Sequence, residues 1–136
     1  MERPLPALYN ATRDVNPNMM TVGIEPEEAP TSFIKKYGKK VFEEKFHHTP
    51  EFHSHGLIGS GGWGVEFPHL HIDAIDEIRL VKKEEWQQME KILIESGLNV
   101  GHTSTACQHV VRQLSGENKD KPLNILSIIY DSGRSY

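Results

Sequence analysis

Residues 83–95 constrain this chain more than any other stretch. Trp86, Met89, Ile92 and Leu93 recur at three-to-four spacing, while Glu84, Glu85, Gln87, Gln88 and Lys91 fall between them. That is the period of an amphipathic helix with a single apolar stripe, and such a helix must lie on an apolar surface supplied by the rest of the chain. Gly97 stands where a left-handed residue ends a helix. Just upstream, residues 77–81 read as a short strand, so a strand leads directly into this helix.

The flanking segments extend the pattern. Thr31 or Ser32 is an expected N-cap for a helix carrying Phe33, Ile34, Tyr37 and Val41 at helical spacing, with Gly38 as a weak point inside it. Residues 63–67 and 70–72 are further expected strands. Thr103 or Ser104 is expected to cap a helix bearing Ala106, Val110, Val111 and Leu114. Residues 123–130 (LNILSIIY) are almost uniformly apolar and β-branched, which is the signature of a buried central strand. Residues 1–31 hold Pro4, Pro6, Pro17, Pro26 and Pro30 and an acidic run from Glu25 to Glu28, with no sustained period. They read as an extended or partly disordered arm. The expectation is therefore a single small α+β domain over residues 32–136, its helices on one face of a small mixed or antiparallel sheet, preceded by a proline-rich arm over residues 1–31.

Composition excludes several classes. The chain has 136 residues, enough for one ordinary domain. No apolar run approaches the roughly 18 residues that span a bilayer, so no membrane partner is expected, and the N-terminus lacks the apolar core of a secretory signal. The single cysteine, Cys107, cannot form an internal disulfide, which points to a reducing, cytoplasmic setting. A formal net charge of −4 argues against binding double-stranded nucleic acid, where affinity comes from neutralised phosphates.

The unusual count is eight histidines, most of them between residues 47 and 71. If His69-Leu70-His71-Ile72-Asp73 is extended, His69, His71 and Asp73 share one face, spaced about 6.5–7 Å per step. Two imidazoles and a carboxylate are a donor set for one divalent metal (Zn, Fe or Mn), although the same pattern serves as a polar face bonded to backbone or water. His53 and His55 precede a glycine-rich run, Gly59-Ser60-Gly61-Gly62, that lacks the ending of a phosphate-binding loop and reads as a ligand-covering loop or a plain connector. Gly101-His102-Thr103-Ser104 opens a helix. There, free amides and hydroxyls offer an anion site with His102 as proton donor, or simple capping. His102, Thr103 and Ser104 are thus the candidate catalytic residues. His53, His55, Trp63 and Arg79 are candidates for ligand binding, and His69, His71 and Asp73 for the metal.

Residues 50–136 resemble the luciferase-like domain family. The run Gly64-Val65-Glu66-Phe67-Pro68-His69-Leu70-His71 resembles that family's Glu-Phe-x-His-Leu-His strand. Gly97 and His102 keep its Gly-x-x-x-x-His spacing, and Ile128-Ile129-Tyr130 with Arg134 resembles its closing strand. Arg79 stands where the family carries a further His. The resemblance implies an α+β fold with a His-lined pocket for a small-molecule ligand, and metal-assisted or oxidative chemistry if the chain is an enzyme. A shorter resemblance, over residues 77–116, is to viral-type ring nucleases that cleave cyclic oligoadenylates. It implies a metal-independent phosphodiesterase with His102 as general acid. A non-enzymatic alternative is an adaptor that docks a protein partner through residues 1–31.

Overall fold

The computed structural model describes residues 10–57 and 72–133. The chain is a small α+β domain. Strand β1 (Val22–Pro26) is followed by helices α1 (Thr31–Tyr37) and α2 (Lys39–Phe46), a single 3-10 turn at Ile72–Ala74, strand β2 (Glu77–Val81), and helices α3 (Lys83–Glu95) and α4 (His102–Glu117).

The sheet consists of β1 and β2, paired in parallel from Val22 opposite Glu77 to Pro26 opposite Val81. The expected mixed or antiparallel pairing is thus replaced by a parallel one, which α1 and α2 make possible as part of the crossover between strands. Residues opposite each other project to the same side. Gly23, Glu25, Ile78 and Leu80 therefore share one face, and Val22, Ile24, Arg79 and Val81 share the other.

Each face carries its own apolar cluster. Ile78 and Leu80 pack with Phe33, Phe42 and Ile75, joined at the margin by Tyr37, Phe46 and Ile72. On the opposite face Val81 packs with Leu57, Trp86, Ala106 and Val110, with Val22, Ile24 and Leu114 at its edge. Helices accordingly cover both sides of the strand pair and not one, because β2 is apolar on both faces, with Ile78 and Leu80 on one and Val81 on the other, where β1 adds Val22 and Ile24. The close approach of the layers needs Gly23, where an added Cβ would lie 3.1 Å from Cγ2 of Ile75.

Local sequence explains the helix ends. The side chain of Glu85 accepts a hydrogen bond from the Lys82 main-chain N–H (2.8 Å) at the start of α3. At its other end Gly97 adopts φ 88°; the amides of Gly97 and Leu98 donate to the carbonyls of Ile94 (2.9 Å) and Leu93 (2.8 Å), the double closure expected of a helix-ending glycine. Helix α1 is capped from a distance. Its Ser32 and Phe33 amides donate to the two carboxylate oxygens of Glu25 in β1, at 2.8 and 3.0 Å. Burial pushes the Glu25 carboxyl above its ordinary range, opposed by those two donated bonds. Part of the segment read as an arm thus supplies both a strand and a helix cap. Gly38, at φ 92°, divides the single expected helix into α1 and α2.

Three expectations change in the second half. Helix α4 starts at His102 with Gly101 as N-cap and no side-chain cap, so neither Thr103 nor Ser104 is its cap. Ile72 and Asp73 lie in a 3-10 turn rather than a strand. Residues 123–130 form no strand, and Leu126 is 73% exposed. The chain near them joins the body through the antiparallel bridge between Val100 and Ser132. No helix among the described residues is long and apolar enough to cross a membrane.

Candidate functional site

The start of α4 brings together the three expected catalytic residues. The His102 ring stacks on Trp86 of α3 with centroids 4.6 Å apart and planes 27° from parallel. Its Nε2 lies 3.0 Å from Oε2 of Glu90 and its Nδ1 lies 3.3 Å from the Gly56 carbonyl oxygen. The imidazole therefore links α4, α3 and the chain before Leu57. Gly56 has to be glycine here, since a Cβ would sit 2.8 Å from Cζ2 of Trp86.

The hydroxyls beside it are turned inward. Ser104 is fully buried; its Oγ donates to the Tyr130 carbonyl (2.7 Å) and accepts from the Tyr130 amide (2.6 Å). Thr105, also fully buried, donates to the carbonyl of Gly101 (3.2 Å). Thr103 is buried as well. These groups fasten the helix start to residues 130–133 and to its own first turn.

Cys107 lies one turn into α4. Burial pushes its thiol up to about 11, because the thiolate would lose solvation without a compensating cation. Iodoacetamide is accordingly expected to label Cys107 slowly near neutral pH and to accelerate only as the pH approaches about 11. Intact-mass kinetics across pH would measure this, and rapid labelling near neutrality would contradict a buried, unactivated thiol.

A second polar cluster lies at the C-terminal ends of the strands. Glu27, Glu28, His48, Glu51, His53, Lys82 and Glu84 line an open cleft of about 190 Å³. His48 Nε2 is 3.0 Å from Oε1 of Glu27, and the hydrogen bond to Glu27 raises the His48 pKa. His53 Nε2 is 2.9 Å from Oε2 of Glu51, and the His53 amide donates to the Glu28 carbonyl (2.7 Å). The Lys83 amide donates to Oε1 of Glu28 at 3.2 Å.

The described members of the expected ligand-binding set, His53, His55 and Arg79, do not gather in one pocket. His53 belongs to this cleft, whereas Nδ1 of His55 accepts from the Leu57 amide (3.2 Å). Arg79 is a strut. Its guanidinium donates to both carboxylate oxygens of Glu117 at 3.0 and 2.7 Å, and to Glu77 at 2.8 Å, tying β2 to the end of α4. Trp63, His69 and His71 lie outside the described residues. Asp73 sits in the 3-10 turn, and among the described residues no group of three or more His, Cys, Asp or Glu side chains is arranged to hold a metal. The metal-binding expectation finds no support among the described residues. The strand-end cleft is not legible in the sequence, because Glu27 and Glu28 fall in a stretch that reads as an arm while Glu51 and Glu84 lie far from them along the chain.

No family model matches the chain, and no curated protein does. Among solved structures it is similar to O-acetyl serine sulfhydrylase isoform 3 from Entamoeba histolytica, with a TM-score of 0.73 and 18% identity over 97% of this chain. It is also similar to an O-ureido-L-serine synthase mutant bound to O-ureido-L-serine, with a TM-score of 0.70 and 16% identity over 95% of the chain. The chain spans 35% of the length of each. This likeness is one of fold. It replaces the luciferase-like and ring-nuclease resemblances, which rest on short motifs alone.

Proposed function

We propose that the chain is part of the fold of an amino-acid-forming enzyme that exchanges an O-linked group on a serine-type substrate for a nucleophile, a reading drawn from neighbours named as an O-acetyl serine sulfhydrylase and an O-ureido-L-serine synthase. The observation carrying this reading is the similarity over 97% of the chain at a TM-score of 0.73. The small-molecule ligand is then an O-substituted serine, and the cytoplasm is the setting we assign to it.

Exchange at the β-carbon of an amino acid needs an electron sink for the α-carbanion, which is the chemistry pyridoxal phosphate supplies. Among the described residues, those at the start of α4 do not by themselves fit that group. At the α4 start the Ser104 and Thr105 hydroxyls are committed to Tyr130 and Gly101, and the two nitrogens of His102 face Glu90 and Gly56. The chain's own contribution is to hold the first turn of α4 in place against β2 and α3, with Trp86 and Val81 beneath it.

The test is to purify the protein with any polypeptide that accompanies it and supply O-acetylserine, sulfide and pyridoxal phosphate, with chromatographic detection of cysteine. Cysteine formation is expected. If neither O-acetylserine nor O-ureidoserine is consumed with any thiol, sulfide or amine nucleophile, the proposed activity is wrong.

A further inference from the structure

The cleft at the strand ends holds a histidine whose two ring nitrogens both face acceptors. Nε2 of His48 lies 3.0 Å from Oε1 of Glu27, and Nδ1 lies 3.0 Å from the Thr49 carbonyl oxygen. A carboxylate and a carbonyl can only accept, and a neutral imidazole carries a single N–H. The ring therefore donates both bonds only as the doubly protonated cation, and the neutral form must give one of them up. Its place does not depend on those bonds alone, because it also meets the Phe42 ring edge-on at 5.2 Å. Glu27 is a fixed partner, since its amide donates to the Val81 carbonyl (3.0 Å) at the end of β2.

We infer that His48 is a proton-operated latch on this cleft, fastening the turn after α2 to the end of β1 when charged and letting that turn go when neutral. The turn is also held at its two ends, by the His47 amide on the Glu43 carbonyl (2.9 Å) and the His53 amide on the Glu28 carbonyl (2.7 Å). Between them the His48 ring carries the tie from this turn to Glu27. Other charged groups surround it. Lys82, at the start of α3, has Nζ 4.0 Å from Oε2 of Glu27 and opposes the charged ring. Glu28 and Glu84 bring negative charge to the same cleft, and Glu51 and His53 pair with each other at 2.9 Å. The bond to Glu27, followed by the bond to Thr49, raises the His48 pKa in spite of partial burial and Lys82. The latch is thus closed below the ordinary histidine value of 6.5 and opens as the pH rises through the higher value of the folded protein. Opening also removes one positive charge from a cleft in which Oε2 of Glu27 is buried without a hydrogen-bond partner. The latch needs no assignment of activity to the protein.

The test uses the purified protein with any polypeptide that accompanies it. Imidazole nitrogen shifts in protein labelled with 15N-histidine give the His48 midpoint, assigned by the signal lost in His48→Leu. Amide exchange, corrected for its intrinsic pH dependence, gives the protection of the His53 amide. That protection should fall about two- to threefold as the pH rises through the His48 midpoint, the size an exposed ion pair supports, while Val110 in α4 is unmoved. In Glu27→Gln the midpoint should drop and the step should move down with it. In His48→Leu the step should vanish. A midpoint unaffected by Glu27→Gln, a step that survives His48→Leu, or protection that stays flat across the midpoint each overturns the latch.

Discussion

Replacing Phe42 by alanine is expected to cost about 3–5 kcal/mol, a large share of the roughly 5–15 kcal/mol that holds a typical domain together. Phe42 is fully buried and meets Phe33 edge-on at 6.1 Å, Phe46 at 4.8 Å and His48 at 5.2 Å. Removing its ring leaves a cavity between α1, α2 and the Ile78–Leu80 face of β2, and neighbouring aromatic rings cannot collapse into it without leaving their own contacts. The urea midpoint should fall accordingly. In a Trp63→Phe background the remaining indole, Trp86, lies in the other apolar cluster. Because β2 contributes to both clusters, emission from Trp86 should change in the same transition as helical circular dichroism. A Phe42→Ala protein whose midpoint is unmoved, or whose two signals separate, would mean that the two faces do not form one cooperative core.

The same residue shows how far the sequence could be read. The spacing Phe33, Ile34, Tyr37, Val41 selects Val41 for the core, yet Val41 is 41% exposed and Phe42 is buried. The left-handed Gly38 restarts the helical frame, so a period carried across it points one residue wrong. Where no such break intervenes, β2 and α3 fall where their patterns place them, at Glu77–Val81 and Lys83–Glu95. Strand β1 was hidden by its own chemistry. Glu25 faces inward to cap α1 and Pro26 closes the strand, so neither alternation nor β-propensity marks it. Residues 123–130 have the composition of an interior strand, but composition names a type of environment and not the segment that provides it. The histidines fail for a related reason. Nearness in sequence says nothing about which groups each ring meets: His48 and His53 pair with Glu27 and Glu51 in one cleft, while His55 accepts from the Leu57 amide outside it.

Ser104→Ala is expected to destabilise the protein by about 1–3 kcal/mol, although it removes a single buried oxygen. The hydroxyl is donor to one main-chain group of Tyr130 and acceptor from the other, so its loss strands two polar groups at a half-buried position. Alanine fills nearly the same space, which keeps packing out of the comparison. Amide exchange at Tyr130 reports the bond directly, because that N–H donates to the missing oxygen. It should speed up with the Gly133 amide, which donates to the Asn99 carbonyl in the adjoining bridge, while Val110 in the middle of α4 stays protected. If Tyr130 exchanges at an unchanged rate, the serine is not what fastens the 123–133 segment to α4.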